Sequence, residues 1–246
     1  MQLTRYMPFP RFVSGLNDGL FIPCATLFDE RWEGRLPFAN LPENELLIVI
    51  KQFKQFAQWA YVSCWHHQTY ESFPMWKING QVQEAISIRT TYKKLQDTYV
   101  AQYRGTETYL REVEYGNPAM ETELLLRKDI PSIFGSSANV KRGGLREYLR
   151  VIYLKHHTYE YEKEVRLVSI DSDYSEVGII PNPRRGIHLN IRSTPDFIEE
   201  VTTAPGAPEW FFRTVKETVA RFGIQCEVRR SQLEAPGWPT HGKASS

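Results

Sequence analysis

Residues 42–66, PENELLIVIKQFKQFAQWAYVSCWH, contain a change of pattern that decides the fold class. Up to Ala60 the apolar residues recur at intervals of three and four, which is the spacing of one buried helix face. Pro42 is a typical residue at a helix start. From Ala60 to Trp65 the sequence predicts a buried strand. A helix followed directly by a buried strand indicates a fold in which helices pack on a β-sheet.

The flanking sequence continues this mixture without strict alternation of strand and helix. Further strands are predicted at 3–7, 19–22, 84–89, 109–115, 159–170, 187–191, 198–202 and 224–230. Further helices are predicted after Thr90 and Thr91, at 145–154 and at 207–222. We therefore predict an α+β fold, one mixed or split β-sheet with flanking helices, in a single domain over residues 1–234. A flexible tail is expected at 235–246.

Composition excludes several classes of protein. The 246 residues carry 30 Lys+Arg against 29 Asp+Glu and are 13% aromatic, so the chain is not a disordered linker. A net charge of +1 gives no reason to expect non-specific nucleic-acid binding. The three widely spaced cysteines, Cys24, Cys64 and Cys226, fit reduced thiols. The start of the chain lacks a signal-peptide pattern and no apolar run approaches the length of a membrane span, so we expect a cytoplasmic protein without a membrane partner.

The densest group of charges lies in residues 159–170, YEYEKEVRLVSI. In a strand, alternate side chains share a face, which would place Glu160, Glu162, Glu164 and Arg166 together. One interpretation is a half-solvated strand on which Arg166 relieves the repulsion between the carboxylates. The other is a functional carboxylate pair that stabilises a developing positive charge or binds a metal.

A second group of polar and aromatic residues suits the wall of a pocket, and it contains Trp65, His66, Glu71, Ser72 and Trp76. His66 is suited to acid–base chemistry near neutral pH. The alternative is that His66 lies at a strand end and that the tryptophans are core residues. No second pair of ligands at zinc spacing accompanies this group, so no metal is expected.

Arg5 and Tyr6 lie on the predicted first strand. The guanidinium of Arg5 could clamp a phosphate or a carboxylate through its fork of donors, although a surface position is the alternative.

The motifs, taken in chain order, resemble a known family. They are Arg5-Tyr6, SCWH at 63–66, ES at 71–72, MWK at 75–77, EKEVR at 162–166 and APEWF at 207–211. This series is similar to the bacterial family catalogued as domain of unknown function 2971, from Arg5 to about Leu233. The resemblance implies a fold unit and a set of positions, and it implies no established reaction.

The order of the motifs also resembles that of ADP-ribosyltransferases, in which an early strand presents Arg or His to NAD and a late strand presents a catalytic Glu. The resemblance implies Glu164 as the catalytic carboxylate, with Glu162 as its partner and His66 beside them. It implies NAD as a substrate, with no metal. The implied NAD contacts are Arg5, Tyr6, Trp65, Glu71, Ser72, Trp76 and Arg166.

Three classes of function stay open from the sequence. The first is an NAD-using ADP-ribosyltransferase-like enzyme or NAD glycohydrolase, a kind of activity compatible with a bacterial defence or toxin system. The second is a non-enzymatic module that recognises a small molecule or a protein through the Trp/His pocket. In the second class, the carboxylates are expected either to point away from the tryptophan pocket or to be fully paired with Arg166 and other cations. The third is a metal-dependent nuclease that uses Glu160, Glu162, Glu164 and His66.

Overall fold

The computed structural model describes residues 1–28, 43–80, 84–117, 148–171 and 182–233, without the side chains of 43–49, 52 and 80. Its strands are β1 (Gln2–Pro8), β2 (Leu20–Pro23), β3 (Ala60–His66), β4 (Ala85–Thr91), β5 (Glu107–Glu112), β6 (Glu114–Gly116), β7 (Leu154–His156), β8 (Glu164–Ile170), β9 (Gly186–Leu189), β10 (Glu200–Thr203) and β11 (Glu227–Arg230). The described residues form the helices α1 (Phe9–Asp18), α2 (Glu43–Trp59), α3 (Phe73–Met75), α4 (Tyr92–Gln102) and α5 (Glu209–Arg221). Residues 148–153 are also helical.

The chain divides into two compact units. Unit 1 contains Met1–Leu20, Trp65–Gln102 and His188–Ser246, and unit 2 contains Phe21–Cys64 and Tyr103–Ile187. The boundary falls inside β3, so Trp65 and His66 belong to unit 1 and the rest of that strand belongs to unit 2. The single domain over 1–234 stays a prediction, and the predicted tail lies outside the described residues.

Unit 1 is built on a mixed sheet with the strand order β11–β10–β4–β1. The pairs β1–β4 and β4–β10 are antiparallel, and the pair β10–β11 is parallel. Helices α1, α4 and α5 contact the strands of this unit. In the register of β1, Thr4 lies opposite His66, which places the start of β1 beside the last residues of β3.

Local signals explain where the helices of unit 1 begin and end. The hydroxyl of Thr91 accepts the backbone N–H of Lys94 at 3.2 Å, so this threonine caps α4 as the sequence predicts. Pro208 immediately precedes α5. Gly223 follows the helix with φ +71°, a conformation that glycine adopts without strain.

Unit 2 buries its core between helices and sheet. Strand β8 lies next to β3 and pairs antiparallel with β5, and all seven residues of β8 are buried. Phe53 and Phe56 of α2 pack with Tyr148 and Ile152 of the helical segment and with Val168 of β8. Burial on this scale is the main source of stability for such a layer.

The prediction of one long strand over 159–170 is wrong in its first half. Residues His157–Glu162 form a 3₁₀-helix, and β8 begins only at Glu164. Two local features explain the difference: His156 caps the turn by accepting the N–H of Thr158, and Lys163 ends it in the left-handed conformation with φ 39°. As a result, Glu160 is exposed and pairs with Lys163, whereas Glu162 is buried. The three carboxylates therefore do not share one strand face.

The predicted fold class is confirmed: the chain is α+β, with a mixed sheet and flanking helices. Within the described ranges, no helix combines the length and the apolar character needed to cross a membrane.

Candidate functional site

The candidate site residues fall into two clusters, each contained in one unit. The buried charge cluster consists of Lys155, Glu162, Glu164 and Arg166 in unit 2. The aromatic cluster lies in unit 1 and consists of Tyr6, His66, Glu71, Ser72 and Trp76.

The carboxylate of Glu164 forms a bidentate ion pair in the buried charge cluster. Arg166 binds it with two parallel hydrogen bonds, from Nε to Oε1 at 2.8 Å and from Nη2 to Oε2 at 2.9 Å. The third nitrogen of Arg166, Nη1, donates to the backbone carbonyl of Ile152. Such a fork fixes the position as well as the charge of a carboxylate. All three guanidinium nitrogens of Arg166 thus have partners inside the protein.

The charge state of Glu164 follows from these contacts. Burial alone would raise the pKa of its carboxyl group. The charge and hydrogen bonds of Arg166, with smaller contributions from Lys155 and Cys64, outweigh the burial and lower the pKa to about 2. Glu164 is therefore ionised across the physiological pH range although only 6% of it is exposed.

Lys155 connects Glu164 to Glu162. Its ammonium lies 2.7 Å from Oε2 of Glu162 and 3.3 Å from Oε2 of Glu164. Lys155 is 4% exposed, and its ammonium also lies 4.9 Å from the centre of the Tyr159 ring. Two cations and two carboxylates therefore balance each other in the buried charge cluster, and their attraction offsets part of the free-energy cost of burying them.

The backbone of Glu164 is held separately from its side chain. Its N–H donates to the Tyr115 hydroxyl at 2.7 Å, and its carbonyl accepts the N–H of Val113 at 2.9 Å. Burial raises the pKa of Tyr115, so this phenol stays protonated. The backbone N–H and C=O of Glu164 are both hydrogen-bonded, so the backbone from which its carboxylate projects is fixed at the start of β8.

In the aromatic cluster, the rings of Trp76 and His66 pack against Tyr6. Its ring centre lies 4.8 Å from Trp76 and 5.9 Å from His66, both edge to face. The Tyr6 hydroxyl accepts the backbone N–H of Ser72 at 3.0 Å. Burial raises the pKa of Tyr6 to about 12. These rings are themselves buried, which matches the alternative interpretation of the tryptophan as a core residue.

Glu71 binds the residues at and just after the end of β11. Its carboxylate accepts Trp76 Nε1–H at 3.2 Å, the Ser231 hydroxyl, and the Gln232 N–H at 2.8 Å. Arg229 lies 3.5 Å from the same carboxylate. With this many donors, Glu71 positions the residues that follow β11.

Arg5 and Trp65 lie on the other face of the sheet from the aromatic cluster. Neighbouring residues on a strand face opposite ways, so Arg5 faces away from Tyr6, and Trp65 faces away from His66. The contacts agree: the Arg5 guanidinium lies 5.9 Å from the Trp65 ring, and Trp65 packs against Phe197 at 6.3 Å. The structure therefore brings Tyr6, His66, Glu71, Ser72 and Trp76 together and leaves Arg5 and Trp65 out of that group.

Sequence reasoning missed Lys155 of the buried charge cluster and Arg229 and Ser231 beside Glu71. A lysine within VIYLKHH, directly after four apolar or aromatic residues, is the signal that could have identified Lys155 as a buried cation. No local signal distinguishes Arg229 or Ser231, because Glu71 lies about 160 residues away in sequence.

A metal site was not expected from the sequence. Across the ranges that the structure describes, no group of three or more His, Cys, Asp or Glu residues is arranged to hold a metal ion.

The geometry defines an α+β protein with a buried, doubly paired, ionised carboxylate at the start of a strand. No protein-family model matches the chain, so its resemblance to the domain of unknown function 2971 stays a prediction, and no curated protein matches it.

Two solved structures are similar to the chain, both of Thermus sp. 2.9 DarT. The structure in complex with NAD+ is 7% identical with a TM-score of 0.40, and that in complex with carba-NAD+ is 8% identical with a TM-score of 0.38. Each match covers 94% of this chain and 95% of the other. Identities and TM-scores this low do not establish a common activity.

Proposed function

We propose that this chain is an NAD-using enzyme, either an ADP-ribosyltransferase-like transferase or an NAD glycohydrolase, with Glu164 as its catalytic carboxylate. The observation that carries the proposal is the state of Glu164, which is ionised, buried and fixed by Arg166 and Lys155. The catalytic role of His66 stays a prediction. So do the NAD contacts, which are Arg5, Tyr6, Trp65, Glu71, Ser72, Trp76 and Arg166.

The proposed chemistry needs a carboxylate of this kind. When the bond between nicotinamide and ribose breaks, its electron pair leaves with the nicotinamide nitrogen and positive charge develops on the ribose as an oxocarbenium-like state. A fixed negative charge nearby stabilises that state without having to reorganise. Water or an acceptor hydroxyl then bonds to the ribose carbon and loses its proton. In this scheme Glu162 is the partner carboxylate, and Arg166 is a positioning residue.

The test is nicotinamide release from NAD, with and without candidate protein, DNA or RNA acceptors. We expect Glu164→Gln to lower the rate by about 10²- to 10³-fold, the usual effect of removing one electrostatic stabiliser. Glu160→Gln is the matched control, because Glu160 is exposed and forms an ion pair with Lys163 outside the buried charge cluster. Its rate should equal that of the wild type.

Glu164→Asp covers the case in which Glu164→Gln fails to fold. It keeps the charge but withdraws the carboxylate by one methylene, and we expect most of the activity to be lost because the distance to the ribose changes. Intact NAD after incubation with every acceptor, or a wild-type rate in either Glu164 variant, would overturn the proposal.

The pairing of Glu162 and Glu164 with Lys155 and Arg166 favours a second candidate, the non-enzymatic recognition module, because paired carboxylates are what that class predicts. The fate of NAD separates the two candidates. Either candidate should be stabilised against heat by a bound nucleotide such as carba-NAD+. With the module NAD should stay intact, whereas the enzyme should release nicotinamide from it.

A further inference from the structure

We propose that Lys155 is a positioning residue that lets Glu162 and Glu164 carry negative charge side by side. This inference rests on the proposed function, since it concerns the carboxylate to which catalysis is assigned there. Sequence reasoning assigned no role to this lysine.

The geometry sets Lys155 between the two carboxylates. A single ammonium contacts Oε2 of Glu162 at 2.7 Å and Oε2 of Glu164 at 3.3 Å. Two carboxylates close enough to share one ammonium repel each other strongly in a buried place, and one of them would take up a proton if no cation lay between them.

Lys155 is built into the fold at this point. It lies on the short strand β7, directly before the 3₁₀-helix that ends at Glu162, and only 4% of it is exposed. The Tyr159 ring from the same 3₁₀-helix lies 4.9 Å from the ammonium and adds a favourable cation–π contact. The lysine therefore contacts two successive elements of the chain: the 3₁₀-helix, through Tyr159 and Glu162, and the start of β8, through Glu164.

Arg166 and Lys155 have different tasks in this arrangement. Arg166 occupies both oxygens of Glu164 and fixes where that carboxylate lies. Lys155 contacts the other carboxylate as well, since its ammonium lies 2.7 Å from Oε2 of Glu162. Without Lys155, a proton shared by the two carboxylates would weaken the negative charge that faces the substrate.

The first measurement is the titration of the two carboxylates by NMR with labelled glutamate, which does not depend on activity. Lys155→Met keeps much of the length of the side chain and removes the charge, and Lys155→Arg keeps the charge. We expect the carboxylate pair to take up its first proton at a pH at least about one unit higher in Lys155→Met, and near the wild-type pH in Lys155→Arg.

The second measurement is the pH profile of nicotinamide release. In Lys155→Met the rate relative to the wild type should fall about tenfold for each pH unit between the new titration point and that of the wild type, and it should recover at higher pH. A purely structural lysine would lower the rate by the same factor at every pH.

The double variant Lys155→Met/Glu162→Gln keeps the inference testable if Lys155→Met folds poorly. It removes the repelling carboxylate together with the cation, so the acid limb of the profile should return toward that of the wild type. An unchanged titration in Lys155→Met, or an acid limb that stays displaced in the double variant, would overturn the inference. A wild-type protein that leaves NAD intact would instead contradict the proposed function. The NMR titration would still test the role of Lys155 in that case.

Discussion

Arg166 holds Glu164 through both carboxylate oxygens, with Nε 2.8 Å from Oε1 and Nη2 2.9 Å from Oε2. The two residues stand two positions apart on β8, so the strand itself sets them on one face. Arg166 is fully buried and Glu164 nearly so. Removing either partner would leave the other as an uncompensated buried charge, which lowers the free energy of unfolding by about 3–5 kcal/mol.

The ion pair between Glu164 and Arg166 should make the folded protein less stable as the pH becomes acidic. The pKa of Glu164 is about 2 in the folded protein against an ordinary value of 4.5, so its contribution is complete above about pH 5 and is lost as the pH falls toward 2. We expect the free energy of unfolding of the wild type to fall across that window, and to fall less steeply in Glu164→Gln. Urea unfolding at about pH 7, 5 and 3 measures both slopes.

The control for this prediction is Glu160→Gln, in which an exposed carboxylate is lost from the same part of the chain. It should keep most of the wild-type slope. Equal slopes in the wild type and in Glu164→Gln would show that Glu164 does not contribute as described.

The elements with strong local signals could be predicted from sequence. The regular apolar spacing identified α2, the apolar run identified β3, and Thr91 identified the start of α4. The 3₁₀-helix over 157–162 could not be predicted in this way, because alternating tyrosine and glutamate fits a strand equally well. Two features favour the 3₁₀-helix over a strand: the left-handed conformation of Lys163 and the ion pair between Glu162 and Lys155. The ion pair is a tertiary contact, so the local sequence does not reveal it.

The candidate site was predictable only in part. Glu162, Glu164 and Arg166 could be grouped because they are close in sequence, whereas Lys155 enters through the fold. The separation of Arg5 from Tyr6 follows from strand geometry alone, since adjacent strand residues face opposite ways. The sequence could therefore have predicted that these two side chains lie on opposite faces of the sheet.

Glu71→Ala should loosen the residues after β11. It leaves Trp76 Nε1–H and the Ser231 hydroxyl without their acceptor, and unmet donors in a buried place cost about 1–3 kcal/mol each. We expect a lower melting temperature and earlier proteolytic cleavage after Arg230. Glu209→Ala is the control, because Glu209 is exposed and its ion pair with Arg230 is worth about 0–1 kcal/mol. Equal melting temperatures in the two variants would contradict the role of Glu71.

Gly19→Ala should destabilise the protein more than Gly105→Ala does. Both glycines have a positive φ, +95° at Gly19 and +87° at Gly105, so both substitutions carry a backbone strain of about 1–3 kcal/mol. A Cβ at Gly19 would also lie 2.9 Å from the backbone of Leu189, whereas nothing lies within 4 Å of one at Gly105. Urea unfolding measures the free energy of unfolding of each variant. The difference between the two variants reports the cost of the contact with Leu189. Equal free energies of unfolding in the two variants would mean that the backbone at Leu189 moves away from the new methyl group without a free-energy cost.

Tyr6→Phe should change both the stability at neutral pH and its loss in alkali. At neutral pH the Ser72 N–H loses the hydroxyl that accepts it, which costs about 1–3 kcal/mol. The pKa of Tyr6 is raised from 10.0 to about 12, so its stabilising effect is complete below about pH 10 and is lost as the pH rises toward 12. The free energy of unfolding should therefore fall less steeply over that range in Tyr6→Phe than in the wild type. Tyr70→Phe is the matched control, since Tyr70 is 67% exposed and should keep the wild-type slope. If Tyr6→Phe kept that slope as well, burial of Tyr6 would not be the cause of the alkaline loss.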